Sequence, residues 1–562
     1  MSPTLKVHLQ AFQQFRGLVL RLFLFSLVLS LVDLGGVLSI SAAITLLQQP
    51  EIPFQNQIFS RFHLHIPTLS FDIVIIAIVI FQVGLAHLKW QQSNVTNHLR
   101  MELMTWWNQQ FLKTVYQSSW LVVSQYKATQ LAHIVSFEIS RMGDAFFLAL
   151  RMLSHSILCV GYLLFILLGF NPQVIAVLLL LTLGLALIKF MIPNTRATGE
   201  ALSEQSEQLD RQLVHHLQGF KSLALGGQAH VGALQAQIYS LEKSWFRAHT
   251  VLTQGHFIQN VLSLCMGATG LWYIHHYAKL NLELLALLAY IYYRINPVAQ
   301  HLIQDLQEWQ QLSPSFSRTL SVLQQLRNDP LMQGAKQLAQ VQQLSVRNLS
   351  FRYSPHSPAG LNQINFQAQR GELLLIKGPN GKGKSTLADL LARILNVQEG
   401  QILVDGENSA NFTLSSWGKQ VAYLPQEVFL VRGSLGQNLA WPEDNSEPLC
   451  GEFEVERIKA AKTKLANHPL RHWIFDRFSN LDEELHENDA RLSGGTQKKI
   501  ALLRTLLRES SIIILDEPTE HLDAKSRVEF VEALKMQKPQ AIWIIMSHDP
   551  ICQALADRMV EL

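Results

Sequence analysis

The stretch ELLLIKGPNGKGKSTLADLLARIL, residues 372–395, places an apolar strand, a glycine-rich turn and an amphipathic helix in direct succession. Glycines in the turn let backbone N–H groups converge on phosphate oxygens, and the helix that follows points the positive end of its dipole at them. We expect Lys384 to reach the terminal phosphates of a nucleotide and the Ser385 hydroxyl to bind Mg²⁺. The segment therefore predicts an α/β domain that holds a nucleoside triphosphate.

A second motif supplies carboxylates. SSIIILDEPTEHLD, residues 510–523, begins with an apolar strand that ends in two acidic residues. Asp516 is placed to hold Mg²⁺ through water, and Glu517 is placed to polarise an attacking water as a general base. The order of the two motifs in the chain indicates a nucleotide hydrolase.

A third motif, RLSGGTQKKIALLRTLL at 491–507, opens an amphipathic helix with a Ser-Gly-Gly turn. Exposed N–H groups and a helix dipole make such a turn an anion site that needs no lysine. One nucleotide does not need two such sites from the same domain. We therefore expect Ser493, Gly494 and Gly495 to close over the nucleotide held by a second copy of the chain.

The order of these segments resembles the ATP-binding-cassette (ABC) family, and the whole chain resembles an exporter-type half-transporter, with six spans fused to one nucleotide-binding domain. LSGGT is similar to the LSGGQ signature, with Thr496 in place of Gln. YLPQEVFL resembles the Q-loop, IIMSHDP the switch-histidine segment and LSFRY the A-loop, whose tyrosine stacks on adenine. EHLD stands where the D-loop usually reads Ser-Ala-Leu-Asp, so Asp523 matches while Glu520 and His521 depart from the pattern.

The resemblance implies a set of site residues and two ligands, ATP and Mg²⁺. The expected catalytic residues are Glu517, His548, Gln426 and Lys384, and the expected metal ligands are Ser385, Gln426 and Asp516. The expected ATP-binding residues are Tyr353, Gly378, Pro379, Asn380, Gly381, Lys382, Gly383, Lys384, Ser385, Thr386, Ser493, Gly494, Gly495 and Asp523.

The composition predicts a membrane-embedded part. Charged residues make up 16% of the chain and hydrophobic residues 48%, whereas soluble domains carry about 25% charged residues. Six apolar segments approach or reach the length of a spanning helix: 17–47, 71–91, 145–169, 172–192, 256–277 and 282–303. The predicted fold is an all-α membrane domain over 1–310, a linker over 311–345 and an α/β P-loop ATPase domain over 346–562.

Lysine and arginine concentrate in the segments 89–144 and 193–255, which places these segments, the N-terminus and the ATPase domain in the cytoplasm. The resemblance implies a bacterial inner membrane. A net charge of +3 gives no electrostatic case for nucleic acid as a partner. The expected partners are a second copy of the chain, the lipid bilayer and an unidentified substrate.

Ionisable residues inside membrane spans are energetically costly, so each of them is a candidate for a functional role. Asp33 lies in the first apolar segment, and Arg294 lies in the sixth, within AYIYYRINP. Arg294 either faces a substrate cavity, where it favours a carboxylate or phosphate, or neutralises Asp33 between two helices. The predicted function is an ATP-driven exporter or flippase of a peptide, lipid-linked or amphipathic substrate, which works by alternating access. A membrane ATP sensor or regulator that moves nothing remains as the alternative.

Overall fold

The computed structural model of the protein describes residues 16–48, 71–169, 196–218, 228–273, 276, 282–354, 360–379, 381–440, 452–486, 489 and 491–562. The predicted span at 172–192 and Asn380 of the glycine-rich turn lie outside these residues. The chain divides into two compact units. The first consists of residues 1–116 and 126–325, and the second of residues 117–125 and 326–562.

Long helices dominate the described part of the first unit. In chain order, the helices before residue 330 are α1 (Arg16–Gln48), α2 (Phe71–Gln117), α3 (Trp120–Val123), α4 (Ala128–His133), α5 (Ile139–Gly169), α6 (Arg196–Gln218), α7 (Gln228–Tyr273) and α8 (Leu282–Asn328). A π-helical turn, Ile134–Glu138, joins α4 to α5. The described part of every predicted span except 172–192 overlaps one of these helices.

These helices are longer than a bilayer requires. Helices α2 and α8 each contain 47 residues, which corresponds to about 70 Å at 1.5 Å per residue, whereas a hydrocarbon core is about 30 Å thick. The predicted linker at 311–345 is helical as far as Asn328 because α8 continues through it. Among the described residues, one helical stretch, Ala128–Leu167, is long and apolar enough to cross a membrane. The number of crossings stays a prediction.

The second unit is an α/β domain. Its strands are β1 (Gln343–Arg352), β2 (Gly360–Gln369), β3 (Leu373–Lys377), β4 (Glu399–Val404), β5 (Glu407–Asn408), β6 (Val421–Leu424), β7 (Gly433–Ser434), β8 (Glu484–Leu485), β9 (Ile512–Asp516), β10 (Ile542–Met546) and β11 (Arg558–Glu561). Its helices after residue 330 are α9 (Lys384–Leu391), α10 (Leu414–Gln420), α11 (Leu435–Leu439), α12 (Glu452–Ala466), α13 (His472–Phe475), α14 (Gly494–Leu506), α15 (Ala524–Gln537) and α16 (Pro550–Leu555).

A five-stranded parallel sheet forms the centre of this domain, with the strand order β11-β3-β10-β9-β6. All residues of β9 and β10 are buried, because helices cover both faces of a parallel sheet and leave no solvent face for polar side chains. An antiparallel sheet with the order β2-β1-β4-β5 packs against the same core, to which Phe351 and Trp417 contribute. The predicted fold class, a helical N-terminal region followed by an α/β P-loop ATPase domain, is confirmed.

Helix α3 belongs to the second unit. The N–H of Trp120 donates to the carbonyl of Ile394 at 2.9 Å, and the N–H of Ser119 donates to the carbonyl of Asp329 at 2.9 Å. Leu121 packs against the apolar core formed by the antiparallel sheet. This short helix is therefore hydrogen-bonded to the ATPase unit to which it belongs.

Candidate nucleotide-binding site

The predicted catalytic residues follow the carboxyl ends of four neighbouring strands and so lie at one edge of the parallel sheet. In the order β3, β10, β9 and β6, their carboxyl ends lead into the glycine-rich turn, His548, Asp516 with Glu517, and Gln426. The carboxyl ends of parallel strands meet at one edge, which is where ligands bind in open α/β sheets. The sheet order therefore explains how segments more than a hundred residues apart in the sequence form one site.

Two glycines of the glycine-rich turn have a left-handed backbone conformation. Gly381 and Gly383 have φ angles of 82° and 100°, which L side chains rarely adopt. A Cβ atom on Gly383 would lie 2.8 Å from Leu361 Cδ2, so this glycine also permits a close approach. Helix α9 begins at Lys384, whose ammonium donates to the Gly378 carbonyl at 2.9 Å and so lies folded over the turn.

Glu517 is the centre of a hydrogen-bonded group. Its Oε1 lies 3.1 Å from His548 Nδ1 and 3.4 Å from Lys384 Nζ, and its Oε2 accepts from the Ser547 hydroxyl at 3.1 Å. The φ angle of Glu517 is 44°, in the left-handed region that non-glycine residues seldom occupy. Such strained residues concentrate at functional sites, where the surrounding contacts hold them in place.

Asp516 is buried and its two carboxylate oxygens accept no hydrogen bond of normal geometry from the described residues. Burial raises the pKa of this carboxyl, and the negative charge of Glu517 adds to the rise, while the nearby Ser385 hydroxyl and the Lys498 ammonium oppose it. Buried polar atoms without a partner need a ligand. Hard oxygen donors from a carboxylate and a hydroxyl suit Mg²⁺, so Asp516 and Ser385 fit the metal that the fold implies.

Gln426 follows strand β6, and its side-chain amide donates to Glu520 Oε2 at 3.3 Å. Its backbone carbonyl accepts from the ammonium of Lys498, which lies on α14 and is 1% exposed. Burial lowers the pKa of Lys498, and the charge of Glu520 opposes this fall. The Q-loop, the D-loop and the signature helix thus meet at these three side chains.

Tyr353, at the end of β1, lies next to the start of α9. Its hydroxyl is 3.2 Å from the Thr386 hydroxyl, and its ring meets the Phe351 ring edge-on with 5.2 Å between centroids. The side chain remains 40% exposed, so a ring face is available for stacking on a base.

The signature turn has the geometry of a helix N-terminus. Ser493 caps α14, because its hydroxyl accepts from the N–H of Thr496 at 3.3 Å and lies 3.0 Å from the Thr496 hydroxyl. Thr496, the residue that departs from the signature, is buried and contacts the Ser493 hydroxyl through its N–H and its own hydroxyl. It therefore takes part in the cap. A Cβ atom on Gly495 would lie 2.8 Å from the carbonyl oxygen of His521, whereas one on Gly494 would lie 4.0 Å from the nearest atom.

Asp523 caps helix α15. Its Oδ1 accepts from the N–H of Ser526 at 2.8 Å, and this hydrogen bond lowers the pKa of the carboxyl. Its Oδ2 lies 3.5 Å from Lys499 Nζ. The predicted D-loop aspartate therefore has a structural role in its own chain, and its side chain remains exposed.

Reasoning from the sequence missed three residues of this site. Ser547 supports Glu517, Lys498 reaches the backbone of Asp516 and Gln426, and Glu520 accepts from Gln426. Ser547 could have been suspected because it stands between a buried strand and His548. Lys498 gave no signal, since a lysine near the start of a helix is usually solvated.

Asp33 and Arg294 lie in the first unit and form an ion pair between α1 and α8. Asp33 also accepts from the Tyr162 hydroxyl and lies 3.8 Å from Lys89 Nζ. The ion pair lines a cavity of about 500 Å³, which Lys89 and Arg151 also line. The neutralisation that the sequence suggested is present in this structure, and Arg294 faces the cavity as well.

The same cavity has a polar wall shared by three helices. The Gln92 amide on α2 donates to the hydroxyl of Ser26 on α1 at 2.9 Å and to that of Ser154 on α5 at 2.8 Å. The two hydroxyls are 2.8 Å apart. Polar side chains that bond across helices in an apolar unit specify how those helices pack.

Comparisons with known proteins agree with this geometry. Residues 361–520 match the family described as ABC transporter. Two relatives are ATP-dependent lipid A-core flippases. The protein of Pasteurella multocida (strain Pm70) is 34% identical over 206 residues, which is 36% of this chain and 34% of the relative. The protein of Salmonella typhimurium (strain LT2) is 33% identical over 218 residues, which is 39% of this chain and 36% of the relative.

The aligned parts span about a third of the length of these curated relatives. A solved structure of a bacterial Atm1-family ABC exporter with ATP bound covers 96% of this chain and 93% of its own, with a TM-score of 0.78 and 17% identity. At this identity the likeness concerns the fold. The family match identifies residues 361–520 as an ABC transporter domain, and the chain as a whole has the fold of the Atm1-family ABC exporter.

Proposed function

We propose that the protein is an ATP-hydrolysing exporter or flippase that works by alternating access as a dimer. One observation carries the proposal. A single chain with the exporter fold contains both a helical unit and a nucleotide site with all its expected catalytic residues. The relatives aligned over the ATPase part are named as flippases of lipid A-core. Among peptide, lipid-linked and amphipathic substrates, this favours a lipid-linked or amphipathic one.

The group around Glu517 supports hydrolysis. Glu517 would take a proton from the attacking water as general base, and Ser547 and His548 orient its carboxylate through both oxygens. Lys384 would exchange its contact with Glu517 for the β- and γ-phosphates when ATP enters. His548 has 77% of its side chain exposed, so it would be accessible to a bound γ-phosphate.

Mg²⁺ would be held by Ser385 and Asp516, and Gln426 is the third proposed ligand. When bound, the metal supplies charge stabilisation to the phosphate oxygens. The chain's own contribution is to keep the carboxylate of Asp516 buried at the end of β9, near the Ser385 hydroxyl. Tyr353 would stack on the adenine, and the glycine-rich turn would enclose the phosphates.

A second copy of the chain would complete each site. Ser493, Gly494 and Gly495 form an N-terminal anion site on α14 that the nucleotide in its own chain does not require. Asp523 is exposed beside α15 and would contact the partner. A homodimer with two equal sites is sufficient because each chain carries all the expected residues.

The helical unit would lie in a cytoplasmic membrane as a multi-pass domain, with the ATPase domain in the cytoplasm. The exposed apolar side chains of α2 support this placement: Ile76, Ile80 and Val83 are each more than half exposed. A membrane or a partner helix has to cover such a surface. The six predicted spans, including 172–192, complete the proposed topology.

The cavity in the first unit is the proposed substrate site, with Asp33 and Arg294 in its wall. Among the described residues that line the cavity, Lys89 and Arg294 share one carboxylate, Asp33, while Arg151 is paired with Asp305. This excess of positive charge favours a substrate group that carries a carboxylate or phosphate. The hydroxyls of Ser26 and Ser154 add neutral hydrogen-bonding groups to the same wall.

The proposal can be tested in proteoliposomes that contain the purified protein and trace amounts of fluorescent phosphatidylglycerol or phosphatidylcholine. We expect ATP to move the anionic lipid between leaflets, measured as a change in the fraction accessible to an external quencher. The Glu517→Gln variant should not move it. If the wild type hydrolyses ATP but redistributes neither these lipids nor added lipid-linked sugars and amphipathic peptides, the chain is a sensor or regulator.

A further inference from the structure

Lys498 is a buried ammonium where a solvated lysine would be expected. It has 1% of its surface exposed, and its Nζ donates to the backbone carbonyls of Gln426 and Asp516 at 3.4 Å each. Gln426 follows β6 and Asp516 ends β9, so one side chain on α14 joins two neighbouring strand ends. An ammonium that is removed from water needs such partners, because an unpaired buried charge is costly.

Glu520 controls the other end of Gln426. The Gln426 amide nitrogen lies 3.3 Å from Glu520 Oε2. An ionised carboxylate has no proton to donate, so the acceptor selects the NH₂ side of the amide. The carbonyl oxygen, Oε1, is then the part of Gln426 that is directed away from Glu520. This orientation follows from the chemistry of the pair.

The two contacts act on the same residue, Gln426. Lys498 contacts the backbone of Gln426 and Glu520 contacts its side chain, so both ends of the residue are held by hydrogen bonds.

We propose that Lys498 and Glu520 are positioning residues that fix Gln426, so that its Oε1 is presented to Mg²⁺ and to the attacking water. This inference rests on the proposed function only in taking Gln426 as a metal ligand. It assigns roles to a lysine and a D-loop glutamate at positions that the motif pattern leaves without any. With its amide nitrogen bound to Glu520 and its backbone carbonyl bound to Lys498, Gln426 presents its side-chain oxygen as the donor.

Binding of ATP with and without metal tests the role of Glu520 independently of turnover. Glu520→Ala and Glu520→Gln are each made in the Glu517→Gln background in the full chain in nanodiscs, and ATP affinity is measured in EDTA and in Mg²⁺ by ligand-dependent thermal shift. Loss of a residue that orients a metal ligand typically lowers metal affinity about 10-fold or more. We expect Glu520→Ala to leave the ATP affinity in EDTA within about twofold of that of the parent. The increase in ATP affinity that Mg²⁺ gives should be smaller by about 10-fold.

Glu520→Gln provides the rescue, because its own carbonyl can still accept from the Gln426 amide. We expect it to retain most of the gain from Mg²⁺ that Glu520→Ala loses. Glu532→Ala, which removes an exposed glutamate from α15, serves as the matched control and should behave as the parent. If Glu520→Ala keeps the full gain from Mg²⁺, or if Glu520→Gln loses as much as Glu520→Ala, the proposed role of Glu520 is wrong.

The role of Lys498 is tested with Lys498→Met, which keeps the length of the side chain and removes its charge. We expect this variant to weaken the gain from Mg²⁺, and we expect Lys498→Met combined with Glu520→Ala to be no worse than the poorer single variant. Independent, multiplicative losses would show that the two residues do not act through one glutamine. Should Lys498→Met not fold, Lys498→Arg retains the charge at a different reach, and an unchanged gain from Mg²⁺ in that variant would contradict the proposed geometry.

A wild type that fails to hydrolyse ATP or to move lipid would refute the proposed function, while these binding measurements would still decide the positioning roles.

Discussion

The Nζ of Lys384 lies 3.4 Å from Oε1 of Glu517, and both side chains are more than nine-tenths buried. The lysine that we propose to contact the phosphates is therefore paired with the proposed general base. Entry of ATP would give Lys384 stronger acceptors and leave Glu517 to Ser547 and His548. If these roles hold, the ion pair would link nucleotide binding to release of the general base.

Replacement of Glu517 by Gln tests this link. The amide keeps the shape of the side chain and removes its basicity, so we expect the hydrolysis rate to fall by about 10² to 10⁴. ATP affinity should be retained or increase, since a negative charge beside the phosphates is removed. Phosphate release in nanodiscs at varied ATP concentration measures the first effect, with Glu532→Gln as control. A rate within a few-fold of wild type would exclude Glu517 as the base.

The two signature glycines allow a matched comparison. Gly495→Ala would push a methyl group to within 2.8 Å of the His521 carbonyl, whereas Gly494→Ala meets nothing closer than 4.0 Å in its own chain. We expect Gly495→Ala to lower the thermal stability of the ATPase unit and Gly494→Ala to leave it unchanged. Both should lower ATP hydrolysis if the turn closes over the partner's nucleotide. Normal hydrolysis by Gly494→Ala would contradict that closure.

Sequence reasoning found the residues of this site that depend on local order and missed those that depend on packing. Glu517 was predicted from a strand that ends in two acidic residues, and His548 from the resemblance to the switch-histidine segment. The structure places the two side chains 3.1 Å apart. The burial of Lys498 depends on which face of α14 meets β6 and β9, and helical periodicity does not distinguish a buried lysine from a solvated one. Glu520 was noted only as a departure from a motif, because its acceptor role requires the position of Gln426.

The helical unit illustrates the same limit. The apolar segments predicted where helices α1, α2, α5 and α8 run, since about 20 apolar residues suffice to indicate a span. The sequence also placed Asp33 and Arg294 in such segments. It could not decide between pairing and a cavity role, because that depends on how α1 and α8 are juxtaposed, and in the structure the ion pair lines the cavity.

A buried network around Glu138 should stabilise the helical unit. Glu138 is fully buried, and it accepts from Ser203 and lies 3.6 Å from His133 Nε2 and 3.5 Å from Arg318 Nη1. Removing one partner of a buried ionic network costs about 3 kcal/mol or more because the remaining charges lose their compensation. We expect Glu138→Gln to destabilise the protein by that amount in unfolding followed by helical circular dichroism.

Glu200→Gln is the control for this change. Its partner Arg196 lies on the same exposed face of α6 at 3.1 Å, and exposed pairs contribute about 0.2–1 kcal/mol. Equal effects of Glu138→Gln and Glu200→Gln would show that the buried network contributes no more than a surface pair.

Acid should destabilise the ATPase unit through His468. Burial lowers the pKa of this histidine from 6.5 to about 4, and its Nδ1 accepts from the N–H of Leu470 at 3.2 Å. Below pH 6.5 His468 takes up a proton in the unfolded chain but stays neutral in the folded chain. Its contribution to the free energy of unfolding is therefore complete above pH 6.5 and is lost as the pH falls towards 4. The loss amounts to about 3 kcal/mol at most.

Hydrogen exchange measures this effect locally. Peptides covering residues 464–475 and 530–543 are compared between wild type and His468→Gln at each pH, which removes the intrinsic pH dependence of exchange. We expect the protection of the wild type to fall relative to the variant between pH 6.5 and pH 4.5. A constant ratio over that range would mean that His468 is protonated in the folded chain at the same pH as in the unfolded chain.

The ion pair between Asp33 and Arg294 distinguishes a substrate role from a structural one. Arg294→Ala leaves Asp33, which has 4% of its side chain exposed, with Tyr162 and with Lys89 at 3.8 Å. If the pair only neutralises charge, the double variant Asp33→Asn/Arg294→Gln should restore the stability that Arg294→Ala loses, because no buried charge is left uncompensated. ATPase stimulation by lipid should then return with it.

If Arg294 also binds the substrate's anionic group, the double variant should regain thermal stability and still lack stimulation by anionic lipid. Measurement of unfolding temperature and lipid-stimulated ATPase on the same nanodisc samples separates the two roles. Arg151→Ala is the comparison within the cavity, since it lines the same wall but pairs with Asp305 instead of Asp33. Full stimulation by anionic lipid in Arg294→Ala would remove Arg294 from the substrate site, because a guanidinium that binds the anionic group cannot be lost without weakening that response.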